Sequence, residues 1–260
     1  MKKQSSISRL QSVERAITLL KTLGNAASDL GVTDLSQRLG LPKSTVHRLL
    51  TALERGGLVE QNPTTEKYRL GVDLVRLAGR VLMRMDLLQV AQPHLHALAQ
   101  ACEETVNLSI LTDDGKVINI ARCPSPRMVR NVGWLGREMF PHSVSSGKAL
   151  LAYLPEQQVE RILNAGLPRF TGKTITDPTH LKNELAHVRQ QGYAVAQEEL
   201  EEGLSAVAAP IMNYEGHVIA AISVSGPSFR LTEERLVELA EMTRDAAKAV
   251  SHQLGWVGEE

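Results

Sequence analysis

Several places in the sequence bring together side chains able to do chemistry. Ser145-Ser146-Gly147-Lys148 has the Ser-x-x-Lys spacing of serine acyl-enzymes, in which a lysine activates a serine hydroxyl. The companion Ser-Asp-Asn and Lys-Thr-Gly runs are absent. The same residues also make an ordinary helix start, with a serine cap and backbone N–H groups free to receive an anionic ligand, so ligand capture is favoured over nucleophilic attack. Gly147-Lys148 is not a phosphate loop, because Ala149 follows where Ser or Thr belongs and His142 stands in place of the first glycine. His94 and His96, two residues apart on a helix, point about 200° away from each other and cannot share an ion. Cys102 and Cys123 form no Cys-x-x-Cys or Cys/His cluster and read as a core thiol and a strand-end residue. The acidic run Glu198-Glu199-Leu200-Glu201-Glu202 reads as a solvated loop. No metal and no cofactor is expected.

A second group carries donors rather than nucleophiles. Pro42 suits a helix's first position, and Val46, Leu49, Leu50 and Leu53 then recur at i, i+3, i+4 and i+7. At about 100° per residue, the opposite face presents Ser44, Arg48, Thr51 and Arg55, with Thr45 and His47 on its shoulders. Arg48 can make a bidentate contact to guanine, Ser44, Thr45 and His47 can serve bases or phosphates, and Lys43 suits phosphate.

Such a face needs elements to position it. Upstream, Ser12 can cap a helix with Val13, Ile17, Leu20 and Leu23 at helical spacing, and Thr33 can cap a short one ended by Gly40. Downstream, Leu58 to Gln61 and Lys67 to Leu70 read as a hairpin whose outer side carries Lys67 and Arg69, again suited to phosphate. This order is that of a winged helix-turn-helix, whose last helix lies in the major groove of double-stranded operator DNA. The bland alternative is the solvated face of a small three-helix bundle.

Net charge over the 260 residues is zero, yet residues 1–72 carry 11 Lys and Arg against 6 Asp and Glu, while 73–260 carry 18 against 23. A small basic piece joined to a larger acidic one places phosphate contacts at the amino-terminal end. Residues 73–86 read as a linker helix apolar on more than one side, suited to pairing with its twin in a homodimer. From 87 to 260 the pattern is α+β: an antiparallel sheet with flanking helices, including strands at Met128 to Val132, Ser205 to Ile211 and His217 to Val224 and a helix from Gly147 to Tyr153. No run is long enough for a membrane span and no signal-peptide stretch is present, so a reducing cytoplasm is expected and no membrane partner.

Taken in order, Ser12-Val13-Glu14-Arg15-Ala16, Leu41-Pro42-Lys43-Ser44-Thr45-Val46-His47-Arg48-Leu49-Leu50, Tyr68-Arg69-Leu70-Gly71, Ser146-Gly147-Lys148-Ala149-Leu150-Leu151-Ala152, Ala208-Ala209-Pro210-Ile211 and Ala221-Ile222-Ser223-Val224-Ser225-Gly226-Pro227 resemble the IclR family of bacterial transcriptional regulators. The resemblance covers nearly the whole chain. It implies a winged helix-turn-helix (1–72), a dimerisation helix (73–86) and a GAF-like effector-binding domain (87–260), in dimers or dimers of dimers. By position it implies an effector pocket including Val129, Val132, Phe140, Ser145, Ser146, Ala196, Leu204, Ala206, Ser223 and Ser225. Family members that bind small oxo-acids tend to have aspartate where Ala196 stands and cysteine where Ala206 stands, and both polar groups are missing here. With serines on one side and Val129, Val132, Phe140 and Leu204 on the other, a larger, partly apolar effector such as an aromatic acid is expected, unless a water or a neighbouring side chain fills the two positions. The function expected is a ligand-responsive regulator, a repressor of a catabolic operon controlled by a small organic acid or aromatic metabolite. The rival is a hydrolase using Ser145 and Lys148, which Ser145→Ala distinguishes: an enzyme loses turnover, whereas a regulator keeps DNA binding.

Overall fold

The computed structural model describes residues 3–26, 28–82, 87–131 and 135–258. The chain divides into two compact units, Met1–Arg84 and Met85–Glu260.

In the first unit, α1 (Lys3–Gly24), α2 (Val32–Leu39) and α3 (Lys43–Arg55) are followed by a hairpin of β1 (Val59–Gln61) and β2 (Tyr68–Leu70) and then α4 (Asp73–Leu82). Leu19, Leu23, Leu35, Val46, Leu50, Leu53, Val59 and Tyr68 make its core. Three starts differ from the sequence reading. Helix α1 begins well before Ser12, since nothing in Ser5-Ser6-Ile7-Ser8 stops it, and it buries Leu19 and Leu23 while Val13 and Ile17 stay exposed. Helix α2 begins at Val32, because the Asp34 carboxylate accepts from the Gly31 N–H at 3.0 Å and leaves Thr33 inside the helix. It ends at Gly40, whose φ of 62° is the left-handed cap that glycine adopts without penalty. Pro42 is the N-cap of α3 rather than its first residue.

The second unit holds a six-stranded antiparallel sheet in the order β5-β4-β3-β8-β7-β6. Its strands are β3 (Thr105–Leu111), β4 (Val117–Cys123), β5 (Glu138–Met139), β6 (Ala194–Gln197), β7 (Leu204–Met212) and β8 (Val218–Pro227). Helices α5 (Leu87–Cys102) and α9 (Glu233–Gln253) cover one face through Leu95, Leu98, Leu239 and Val250, packed on Val106, Leu108, Val207, Ile222 and Val224. Helices α6 (Ser145–Leu151), α7 (Glu156–Asn164) and α8 (Pro178–Gln191) share a second core with Val117, Met139, Ala194, Ala208 and Ala221 from the other face. The strand expected at Met128 to Val132 is not formed over 128–131, and Val132 lies outside the described residues. That stretch is held by side chains instead, with Thr105 Oγ1 donating to the Asn131 carbonyl at 2.8 Å and Arg130 Nη1 to the Ser125 carbonyl at 3.1 Å. The edge strands of the sheet are β5 and β6.

Candidate functional site: a polar helix face and a buried cavity

Helix α3 buries Val46, Leu50 and Leu53, so its opposite side is left to solvent. Lys43, Ser44, His47 and Arg48 are exposed there and Thr45 is half-buried. The turn that aims it is tight: Ser36 Oγ donates to the Leu41 carbonyl at 2.6 Å, and the Pro42 carbonyl accepts from the amides of Thr45 and Val46 at 2.9 and 3.1 Å. In the hairpin, Lys67 and Arg69 are both exposed, but Arg69 Nε donates to Glu60 Oε1 at 2.5 Å across the strand pair. Arg69 therefore braces the hairpin, whereas Lys43, Arg48 and Lys67 make no ion pair among the described residues.

In the second unit, strand alternation sorts polar from apolar. Val106, Leu108, Ile222 and Val224 face α5 and α9, which sends Asn107, Ser109, Ser223 and Ser225 to the other side. Register sets Ala196, Ala206 and Ser225 in one row and Ser223 beside Asn107 in the next. Here lies a cavity of about 50 Å³ whose wall includes Asn107, Asn119, Asn131, Met139, Leu200 and Glu199. Of the expected pocket residues, the cavity gathers Ser145, Ser146, Ala196, Leu204, Ala206, Ser223 and Ser225. Two are placed elsewhere. Val129 is 59% exposed, its carbonyl accepting from Arg230 Nη2 at 2.9 Å. Phe140 lies beneath the Lys116 ammonium, 3.2 Å from the ring centre, in the wall of a separate cleft with His142 and Arg161. Val132 lies outside the described residues. Three asparagines therefore join the expected serines in a wall that also keeps the apolar Met139, Val144, Leu200 and Leu204.

The missed residues had a signal in the sequence. Val106-Asn107-Leu108-Ser109 alternates with the same period as Ile222-Ser223-Val224-Ser225, and both belong to neighbouring strands. Ser225 is tied up in this network, its hydroxyl accepting from Asn107 Nδ2 at 3.3 Å and Asn131 Nδ2 at 2.9 Å and donating to the Thr105 carbonyl at 3.4 Å. Ser109 Oγ donates to Asn119 Oδ1 at 2.7 Å. The hydroxyls of Ser145, Ser146 and Ser223 make no hydrogen bond among the described residues.

Helix α6 begins at Ser145, two residues before the expected start, and its N-cap is Val144, so no serine caps it. Gly147 is required by the close approach of the preceding turn: a Cβ there would sit 2.2 Å from the Pro141 carbonyl oxygen. Lys148, 1% exposed, donates from Nζ to Glu199 Oε1 at 2.6 Å, the Val195 carbonyl at 2.9 Å and Glu184 Oε1 at 3.5 Å. Its three N–H groups are thus all engaged, and no lone pair is available to activate Ser145. Burial pushes the Glu199 carboxyl above the usual range, against the opposing pull of Lys148. The acidic run is therefore not wholly solvated, since Glu199 and Leu200 turn inward.

Burial also holds the His142 imidazole below its ordinary value, and the Pro168 carbonyl lies 3.0 Å from its Nε2. Cys102 and Cys123 are buried free thiols, both pushed up by burial. Among the described residues no group of His, Cys, Asp and Glu could hold a metal ion, and no helix is long and apolar enough to cross a membrane.

Residues 12–63 match the IclR helix-turn-helix domain, and residues 79–252 match the bacterial transcriptional regulator IclR C-terminal domain. The chain belongs to the IclR family of transcriptional regulators. Its members are regulators and not enzymes, in keeping with the engaged Lys148. The chain is 38% identical over 247 residues to the HTH-type transcriptional repressor AllR of Salmonella typhimurium, covering 94% of this chain and 90% of the relative. Pseudomonas aeruginosa HmgR shares the fold with a TM-score of 0.79 and 27% identity, over 96% of this chain and 100% of that one. An IclR homolog from Microbacterium hydrocarbonoxydans, complexed with 4-hydroxybenzoate, matches with a TM-score of 0.60 and 31% identity over 94% and 98% of the two chains. As an IclR-family helix-turn-helix regulator, the protein binds operator DNA.

Proposed function

We propose that this protein is a homodimeric repressor of a catabolic operon that lets go of its operator when a small polar organic acid enters the cavity beside α6. The observation that carries the effector class is the set of hydrogen-bonding groups in the wall, Asn107, Asn119, Asn131, Ser145, Ser146 and Ser223, set among Met139, Leu200 and Leu204 around about 50 Å³. That volume has room for roughly three to five water-sized groups at about 10–15 Å³ each. A strongly hydrated ligand enters such a site only if hydrogen bonds replace its water, and this wall supplies them. An aromatic acid would need the cavity to open.

For the DNA, Arg48 reads a base edge, Ser44, Thr45 and His47 contact bases or phosphates, and Lys43 and Lys67 contact phosphates, with Arg69 holding the hairpin and adding positive charge. Val13, Ile17, Val72, Val75 and Leu77 are exposed apolar residues of the first unit, and a second copy of this chain is the partner that would cover them, as a two-fold operator requires. The effector acts by binding one arrangement of the dimer better than another. Fluorescence anisotropy of labelled operator, titrated with the small hydroxy acids glycolate and lactate and with 4-hydroxybenzoate, tests the reading. A small acid is expected to weaken operator binding by about tenfold or more. Release by 4-hydroxybenzoate alone would overturn the small-acid assignment.

A further inference from the structure

Two residues of the cavity wall each hold a buried acceptor without a hydrogen-bond partner among the described residues. Glu199 lines the cavity and is 8% exposed; its Oε1 accepts from Lys148, while its Oε2 has no hydrogen-bond partner among the described residues. Lys148 cannot supply the missing bond, its three N–H groups being held by Glu199, Glu184 and the Val195 carbonyl. Asn107 lines the same cavity at 3% exposed; it donates Nδ2 to Ser225, and its Oδ1 likewise has no partner among the described residues. The Ser225 hydroxyl already donates to the Thr105 carbonyl, and that of Ser109 donates to Asn119.

Buried acceptors are costly to leave unmade, and a donor group entering the cavity that both residues line is the partner they lack. We infer that the effector carries a hydroxyl or N–H group that donates to Glu199 Oε2, with Asn107 Oδ1 accepting a second donor where the ligand has one. The inference rests on the reading of this cavity as the effector site and sharpens it. Glu199 then selects hydroxylated or N–H-bearing acids against bare carboxylic acids, which present only acceptors to a carboxylate already buried.

Glycolate and acetate test this, since they share carbon count and carboxylate and differ by one hydroxyl. Calorimetry on the full-length protein is expected to find glycolate tighter by about tenfold to a hundredfold, the ratio for a hydrogen bond to a charged partner. In Glu199→Gln, where an amide N–H₂ competes for that position, the ratio is expected to close to about unity. If that variant does not fold, the wild-type ratio decides alone. Ala206→Leu, which fills the cavity, is expected to abolish glycolate binding. Equal binding of the two acids overturns the donor inference while leaving the cavity as effector site. Binding of neither, or glycolate binding that survives Ala206→Leu, overturns the cavity reading and the inference with it.

Discussion

Replacing Lys148 by Met keeps most of the side chain's volume and removes its charge, leaving the Glu199 carboxylate buried without its cation. Breaking a buried pair from one side costs about 3–5 kcal/mol. The structure sets a limit on this cost. Glu199 can escape by taking up a proton, and holding a carboxyl of ordinary pKa near 4.3 protonated at pH 7 costs about 1.36 kcal/mol per unit, or about 3.7 kcal/mol. The Val195 carbonyl also loses its donor, adding about 1 kcal/mol, and Glu184 is solvated enough to fend for itself. A deficit of about 4–5 kcal/mol at pH 7 is therefore expected. The sign with pH follows. A carboxyl raised in the folded state favours folding below its unfolded value and loses that contribution as pH rises, so the variant's deficit must shrink on acidification. At pH 5 the protonation cost is only about 1 kcal/mol, and the deficit should fall by about 2–3 kcal/mol. Trp256 lies in the second unit, so urea unfolding followed by tryptophan fluorescence reports on the affected part. A deficit below about 1 kcal/mol, or one equal at both pH values, would refute the claim that Lys148 compensates Glu199.

Four further outcomes are expected. Arg48→Ala should cost about 1–3 kcal/mol of operator selectivity in competition gel shifts, and unchanged selectivity would remove Arg48 as a base reader. Lys67→Ala should weaken binding to all sequences alike and lower the slope of log affinity against log salt by about one, a result checked by salt titration. Gly147→Ala should lower the melting temperature, costing about 1–3 kcal/mol or more, because the new methyl meets a backbone oxygen 2.2 Å away that cannot turn aside. His142 is buried with its pKa lowered, so the stability linked to its neutral form is complete above the ordinary value near 6.5 and is lost as pH falls below it. The midpoint of His142→Phe should accordingly move less than wild type between about pH 7 and pH 5 in thermal melts.

The helix-turn-helix was legible because its cues are local. The stripe of Val46, Leu50 and Leu53 dictates which side of α3 is buried, and the polar side follows from helical geometry without reference to the rest of the chain. Gly40 marks the end of α2 by its own backbone freedom, and the structure uses it so. Helix α1 starts ahead of Ser12 because a cap needs a chain break that nothing there imposes, even though Ser12 has the right chemistry for one.

The cavity was legible only in part. Sequence by itself determined the alternation that sends Asn107, Ser223 and Ser225 to one face, and resemblance pointed to seven of the fifteen wall residues. Only the tertiary structure decided that Phe140 and Val129 stand outside, that Leu200 and Glu199 turn inward from an acidic run, and that Lys148 is engaged by two carboxylates and a carbonyl. Lys148 and Glu199 are 51 residues apart, and Asn107 and Ser225 are 118 apart. Periodicity reports which side of its own element a residue occupies, but the partner it meets depends on how distant elements pack, and that information is carried by no local stretch of chain.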